Sequence, residues 1–243
     1  MTGGEAAVRP ATRDDLARLP AEVAPQLLGA HLTTVVDGET VVVRLTEVEA
    51  YHGRGTGTVP DPGSHARMGP TARNATMWGE PGHLYVYLSH GIHSCVNVVC
   101  GPEGTAGGVL LRGGEVIEGT DAATRRRPAA RAPRDLARGP GRLGDAVGLR
   151  HPVHDGIDAV TGEPLHGAVA RLSLRVEPVA DVAAGPRVGV AGLAGTDQFP
   201  WRFWIPGDPT VSAFRWGRGA LDAHLSRAQS SSGAGARSGA VLD

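Results

Sequence analysis

The chain has 243 residues, 41% of them hydrophobic and only 4% aromatic, with 36 glycines and 18 prolines. That is enough for one large domain or two small ones with a real core, built from short elements and many turns rather than long helices. The formal charge of −1 excludes a polycation, and the two cysteines, Cys95 and Cys100, provide no disulfide framework.

No stretch approaches the roughly 20 apolar residues needed to cross a bilayer. The polar first ten residues lack the apolar core of a signal segment, so a cytoplasmic protein is expected. Residues 1–12 read as a flexible N-terminal arm, residues 13–227 as the domain, and the Ser-, Gly- and Ala-rich residues 228–243 as a disordered tail. After Thr12 a helical pattern places Leu16, Leu19, Val23, Leu27 and Leu28 on one side, interrupted by Pro20 and Pro25. Strands are predicted at 31–36 and 40–48, around the hairpin dipeptide Asp37-Gly38. Residues 52–75 lack periodicity, and a loop of that length in a compact domain is functional or disordered.

A strand at 84–89 puts Tyr85 and Tyr87 on one face and Leu84, Val86 and Leu88 on the other. Further strands are predicted at 94–100 and 108–111. Residues 120–134 read as an arginine-rich insertion, part helical, and Pro140 is well placed for the first turn of a short helix. A last sheet segment takes in 169–176, 187–190 and 202–205. The resulting fold class is mixed α/β (α+β), a single domain around a mainly antiparallel sheet with flanking helices.

All 24 basic residues are arginine. Without lysine no side-chain Schiff base forms and no P-loop is served. Seven arginines lie between Thr120 and Arg142, a patch that suits phosphate as well as it suits a solvated loop.

All three tyrosines fall between positions 51 and 87, near Glu49, His65 and Arg73-Asn74. Aromatic faces beside a carboxylate suit a planar ligand that is stacked and then attacked. Glu49 shares a strand face with Glu47 and Tyr51, and a carboxylate at a strand end can act as general base toward water. Arg73 and Asn74 are turn and phosphate-contact types.

The histidines and cysteines also raise a zinc hydrolase. His90, His93, Cys95 and Cys100 lie close in sequence, and His151 and His154 form a second pair. Their spacing matches no zinc motif, and Cys95 and Cys100 would point to opposite strand faces. No metal and no cofactor are expected. No Gly-x-Ser-x-Gly elbow or Walker motif is present either.

Nine segments in order carry a resemblance. They are Glu47-Val48-Glu49-Ala50-Tyr51, Ser64-His65-Ala66, Thr71-Ala72-Arg73-Asn74, Pro81-Gly82-His83-Leu84-Tyr85-Val86-Tyr87, Cys95-Val96-Asn97-Val98, Val109-Leu110-Leu111-Arg112, Gly139-Pro140-Gly141-Arg142-Leu143, Arg187-Val188-Gly189-Val190 and Pro200-Trp201-Arg202-Phe203. Together they resemble the alkyladenine (3-methyladenine, or methylpurine) DNA glycosylase family over residues 27–212. The resemblance implies a curved antiparallel sheet unrelated to helix-hairpin-helix glycosylases. It also implies a monomer acting on double-stranded DNA containing damaged purines, nucleoid-associated in function, with hydrolysis of the N-glycosidic bond and no lyase step.

By the same resemblance Glu49 is the general base. Arg112 and the Val188 carbonyl position water, Tyr51, His65 and Tyr87 are stacking walls, and Asn97 disfavours the guanine 2-amino group. Arg73, Asn74 and Arg142 are expected at the DNA. One position departs: where the family commonly has a wedging tyrosine, this chain has His90. A damage-binding protein with weak catalysis on the same fold is the alternative reading.

Overall fold

The computed structural model describes residues 6–56 and 60–234, with side chains through residue 227. Its strands are β1 (Val8–Pro10), β2 (His31–Val36), β3 (Glu39–His52), β4 (His83–Ser89), β5 (His93–Val99), β6 (Gly107–Glu118), β7 (Ala137–Arg138), β8 (Ile157–Asp158), β9 (Val169–Arg175), β10 (Ala183–Gly185) and β11 (Arg202–Trp204). Its α-helices are α1 (Arg13–Leu16), α2 (Pro20–Val23), α3 (Thr120–Arg126), α4 (Pro140–Val147) and α5 (Ala220–Ala234), and short 3-10 turns lie between the elements. Among the described residues every strand pairing is antiparallel, in the order β1-β9-β2-β3-β6-β5-β4-β8, with β7, β10 and β11 off this path. The result is a single mixed α/β domain around a curled antiparallel sheet.

Strand β3 does most to shape the site. Its first half pairs with β2, and its last part pairs with β11, Glu47 opposite Trp204 and Glu49 opposite Arg202. On its other edge β6 follows, with register shifts on both sides of Glu47. Bulges bend a strand and re-aim its side chains. Here the bend lets one strand serve two neighbours while its acidic end turns inward. The β2–β3 hairpin turns at Asp37-Gly38, both residues with positive φ, as the dipeptide predicts.

The main core lies between the sheet and the helices, with Leu16, Leu27, Leu32, Leu45, Val48, Leu111 and Leu143 buried. Helix α4 lies so close to β5 that a Cβ on Gly144 would sit 2.0 Å from the Ser94 carbonyl oxygen. A small second cluster of Ala66, Met77, Tyr85, Val99 and Ala106 packs with Trp78 and Tyr87, under the aromatic strand.

Three expectations are corrected. The arm is not loose throughout: β1 pairs with β9, Val8 opposite Arg175, because an open sheet edge supplies backbone partners that side-chain pattern does not reveal. Residues 187–190 form no strand. Their backbone is claimed instead by the Glu49 carboxylate at Val188 and the Arg215 carbonyl at Gly189. Helix α5 continues through residue 234, so the start of the expected disordered tail is helical, and residues 235–243 lie outside the described residues. Among the described residues no helix is long and apolar enough to cross a membrane.

Candidate active site

Tyr51, His65, Tyr87, His90, Asn97, Arg112, Arg142 and Val188 line one cavity of about 710 Å³. Strand alternation places Tyr85 and Tyr87 on the same face of β4, where their rings stack at 5.4 Å and 20°. The His65 ring meets Tyr87 edge-on at 4.6 Å and 88°. Its Nδ1 lies 3.5 Å from the Tyr85 hydroxyl. Tyr85, buried beneath this wall, was marked in the sequence as one of the three clustered tyrosines but given no role of its own.

Glu49 lies just behind the cavity, fully buried, with each oxygen held. The Val188 N–H donates to Oε1 at 2.6 Å, and the Tyr51 hydroxyl donates to Oε2 at 2.9 Å. Arg112 Nη1 donates to Oε2 at 3.4 Å, while its Nε donates to Glu47 at 3.1 Å. Glu47 also accepts from Arg202 Nε at 2.7 Å and from the Ser212 N–H at 2.7 Å. The alternation that paired Glu47 with Glu49 thus delivers two carboxylates to one guanidinium. Burial alone would lower the Arg112 pKa, but Glu49 and Glu47 outweigh it and hold it above its ordinary value.

Beneath Tyr51 runs a second ion pair that sequence reading missed. Arg187 and Asp61 are both wholly buried and meet through two bonds of 2.7 Å. The Arg187 guanidinium lies 4.4 Å from the Tyr51 ring centroid and 5.2 Å from that of Trp201. Asp61 also accepts the His52 N–H and the Gly63 N–H, tying the long loop to β3. Arg187 stood inside the Arg187-Val188-Gly189-Val190 motif. Asp61, in a loop without periodicity, carried no signal.

The long loop has its own clamp. Asn74 Nδ2 donates to the His65 and Gly69 carbonyls, and its Oδ1 accepts from the Thr71 N–H at 2.7 Å. The residue is buried, and every polar atom of its side chain holds the loop that carries His65. Arg73 beside it is exposed and donates to the Leu88 carbonyl. Asn97 lines the cavity and donates to the Tyr85 carbonyl at 3.0 Å across the β4–β5 pair.

Electrostatics keep the aromatic groups uncharged. Burial and the Glu49 carboxylate push the Tyr51 hydroxyl well above the ordinary phenol value. Burial pushes Tyr85 up to about 12 and raises Tyr87 further. Part of His65 is exposed, but burial of its imidazole and the charges of Arg73 and Arg67 hold it below the ordinary histidine value.

His90 stands at the exposed tip of the β4–β5 hairpin with φ 50°, followed by Gly91 at φ 71° and by Ile92, 72% exposed. Cys95 lines the cavity whereas Cys100 lies in the main core, on opposite faces as their odd spacing requires. His151 bonds the Val86 carbonyl, and His154 accepts from the Arg150 N–H. Among the described residues no three His, Cys, Asp or Glu side chains gather as a metal-holding group.

The arginine-rich segment divides. Arg125 and Arg126 pair with Glu39, and Arg127 pairs with Asp145. Arg142 lines the aromatic cavity, and Arg138 and Arg142 line a smaller one beside it.

The chain belongs to the methylpurine-DNA glycosylase family, whose model matches residues 14–209. A Streptomyces avermitilis protein provisionally named 3-methyladenine DNA glycosylase is 48% identical, over 85% of this chain and 92% of its own. Proteins bearing the same provisional name are 50% identical in Leifsonia xyli subsp. xyli, covering 84% of this chain and 92% of the relative, and 51% identical in Nocardia farcinica, covering 81% and 87%.

Proposed function

We propose that this chain is a monofunctional base-excision-repair glycosylase that flips alkylated or deaminated purines out of duplex DNA and hydrolyses their N-glycosidic bond. The observation that carries the reading is Glu49, buried at the back of an aromatic cavity and held at both oxygens. Flipping a base costs roughly a few kcal/mol, which stacking against Tyr51, His65 and Tyr87 offsets. A purine made cationic by alkylation gains further from the tyrosine faces.

Such a purine is already a good leaving group. Water attacks the anomeric carbon, the bond to the purine nitrogen breaks, and Glu49 takes the proton from the water. Arg112 and the loop at Val188 fix Glu49 and the water. Asn97 presses against the edge where guanine carries its 2-amino group. His90 fills the gap in the duplex, and Arg73 and Arg142 approach the backbone. The enzyme works as a monomer in the cytoplasm, at the nucleoid, and leaves an intact strand at the abasic site because no lysine is present to form an imine.

The test is base release from duplexes carrying 3-methyladenine, 7-methylguanine, hypoxanthine or ethenoadenine, with and without chelator. Release insensitive to chelator is expected, with the strand unbroken until alkali is added. Binding without release would replace this reading with that of a damage-binding protein. Borohydride trapping of a protein–DNA adduct would overturn the hydrolytic route.

A further inference from the structure

A second cavity, of about 390 Å³, abuts the first and shares Arg112, Gly139, Arg142 and Val188 with it. Arg138, Arg215, Ser212 and Ala213 complete its lining, so four arginines and no acid face it. Two of the four already have partners. Arg112 is compensated by Glu47 and Glu49, and Arg138 lies 4.0 Å from Asp135. Arg142 and Arg215 carry no ion pair among the described residues.

The backbone around Arg215 is fixed even though its side chain is exposed. The Arg215 carbonyl accepts the Gly189 N–H at 2.9 Å, one residue from the amide that holds Glu49. Arg138 Nε donates to the Val211 carbonyl at 2.9 Å, which anchors the same segment from its other side. Uncompensated guanidinium groups on an anchored frame suit an oxyanion, because their planar fork matches two phosphate oxygens.

We propose that this cavity seats a backbone phosphate of the damaged strand, next to the nucleotide whose base fills the aromatic slot, with Arg215 and Arg142 as its two arms. This rests on the glycosylase reading above. A base and its own phosphate are separated by one deoxyribose, and the two cavities meet at Arg112 and Val188, where that sugar would lie. Arg215 falls outside the segments that carried the family resemblance. Its place in the interface comes from the cavity alone.

The experiment measures binding of lesion duplex by fluorescence anisotropy while salt rises from about 50 to about 200 mM. R215A should reduce the slope of log affinity against log salt by about 0.9, the change for one lost phosphate contact. R215K should restore it. R131A, which alters an exposed arginine lining neither cavity, should leave slope and excision unchanged. Replacing the phosphates around the lesion one at a time by neutral methylphosphonate should weaken wild-type binding at one flanking position. At that position R215A should show no further loss, a non-additivity that marks direct contact.

An unchanged salt slope in R215A, or losses that add at every position, would overturn the proposal. So would inorganic phosphate binding that R215A abolishes without any effect on DNA. Base release by the wild type with an unchanged R215A slope sinks this proposal alone, whereas no release from any lesion sinks the functional reading with it.

Discussion

Two arginine populations in this molecule do opposite work. Beneath the aromatic cavity Arg112, Arg187 and Arg202 are buried and matched against Glu47, Glu49 and Asp61, three cations to three anions. Between residues 120 and 142 the arginines are mostly exposed. Arg125 makes a surface pair, Arg126 and Arg127 are partly buried and also donate to backbone carbonyls, and Arg131 and Arg134 lie open to solvent. The side chain is the same and the surroundings decide its role. In the interior a guanidinium that loses its partner leaves a charge stranded in a low-dielectric medium. At the surface water and salt screen the same loss. The buried set therefore gives the site its rigidity, and the exposed set gives a field without fixed geometry.

The largest effect should come from altering a buried anion with a chemical task. Glu49→Gln is expected to bind lesion duplex and lose roughly 10²–10⁴-fold in single-turnover excision. Near-wild-type rates would remove Glu49 from the chemistry and leave the buried network purely structural.

Next in size is the Arg187–Asp61 pair. Asp61→Asn alone or Arg187→Met alone should destabilise the fold by about 3–5 kcal/mol in urea titrations, because each strands one buried charge. The double variant should lose less than the two singles added together. Full additivity would mean that the two residues act independently despite their 2.7 Å bonds.

Acid should weaken the fold through its desolvated histidines. Burial comes first among the causes that hold His52, His65 and His154 below the ordinary histidine value of 6.5. The unfolded chain takes up protons near that value while the folded chain resists until lower pH. Between the two, the unfolded state binds more protons, so stability falls as pH drops through about 6.5. Urea midpoints measured across that range should decline toward acid, and a flat profile would contradict the assignment.

At the hairpin tip the contrast between fixed and exposed groups can be sharpened. His90→Ala should reduce flipping, read by 2-aminopurine fluorescence beside the lesion, more than it reduces the chemical step. His90→Tyr should restore it, since aromatic contacts of this kind contribute about 0.5–1.5 kcal/mol. If His90→Ala flips as well as the parent, the exposed Ile92 becomes the next candidate wedge.

The smallest effect belongs to the exposed arginines. Arg125→Ala should change stability by no more than about 1 kcal/mol and leave excision unaltered, because its pair with Glu39 is solvent-exposed. A larger loss would show that the surface set carries structural work after all.

What was legible in advance was local. Alternation along residues 84–89 placed Tyr85 and Tyr87 on one face, Asp37-Gly38 marked its hairpin, and Pro140 opened its helix. These depend on backbone preferences and on a period that any short window reveals. The pairing of Glu47 with Glu49 was readable for the same reason, although not the guanidinium that joins them.

The tertiary structure decided everything that depends on which distant segment comes near. Asp61 meets Arg187 across 126 residues of chain. Asn74 became a loop clamp once the carbonyls of His65 and Gly69 closed around it. Residues 187–190 gave up a strand because a carboxylate from β3 claimed the Val188 amide. Residues 8–10 gained one because β9 had an open edge. Periodicity records which side of an element is apolar. It carries no record of which buried charge will need a partner, and desolvation makes that partner compulsory only after the chain has closed around it.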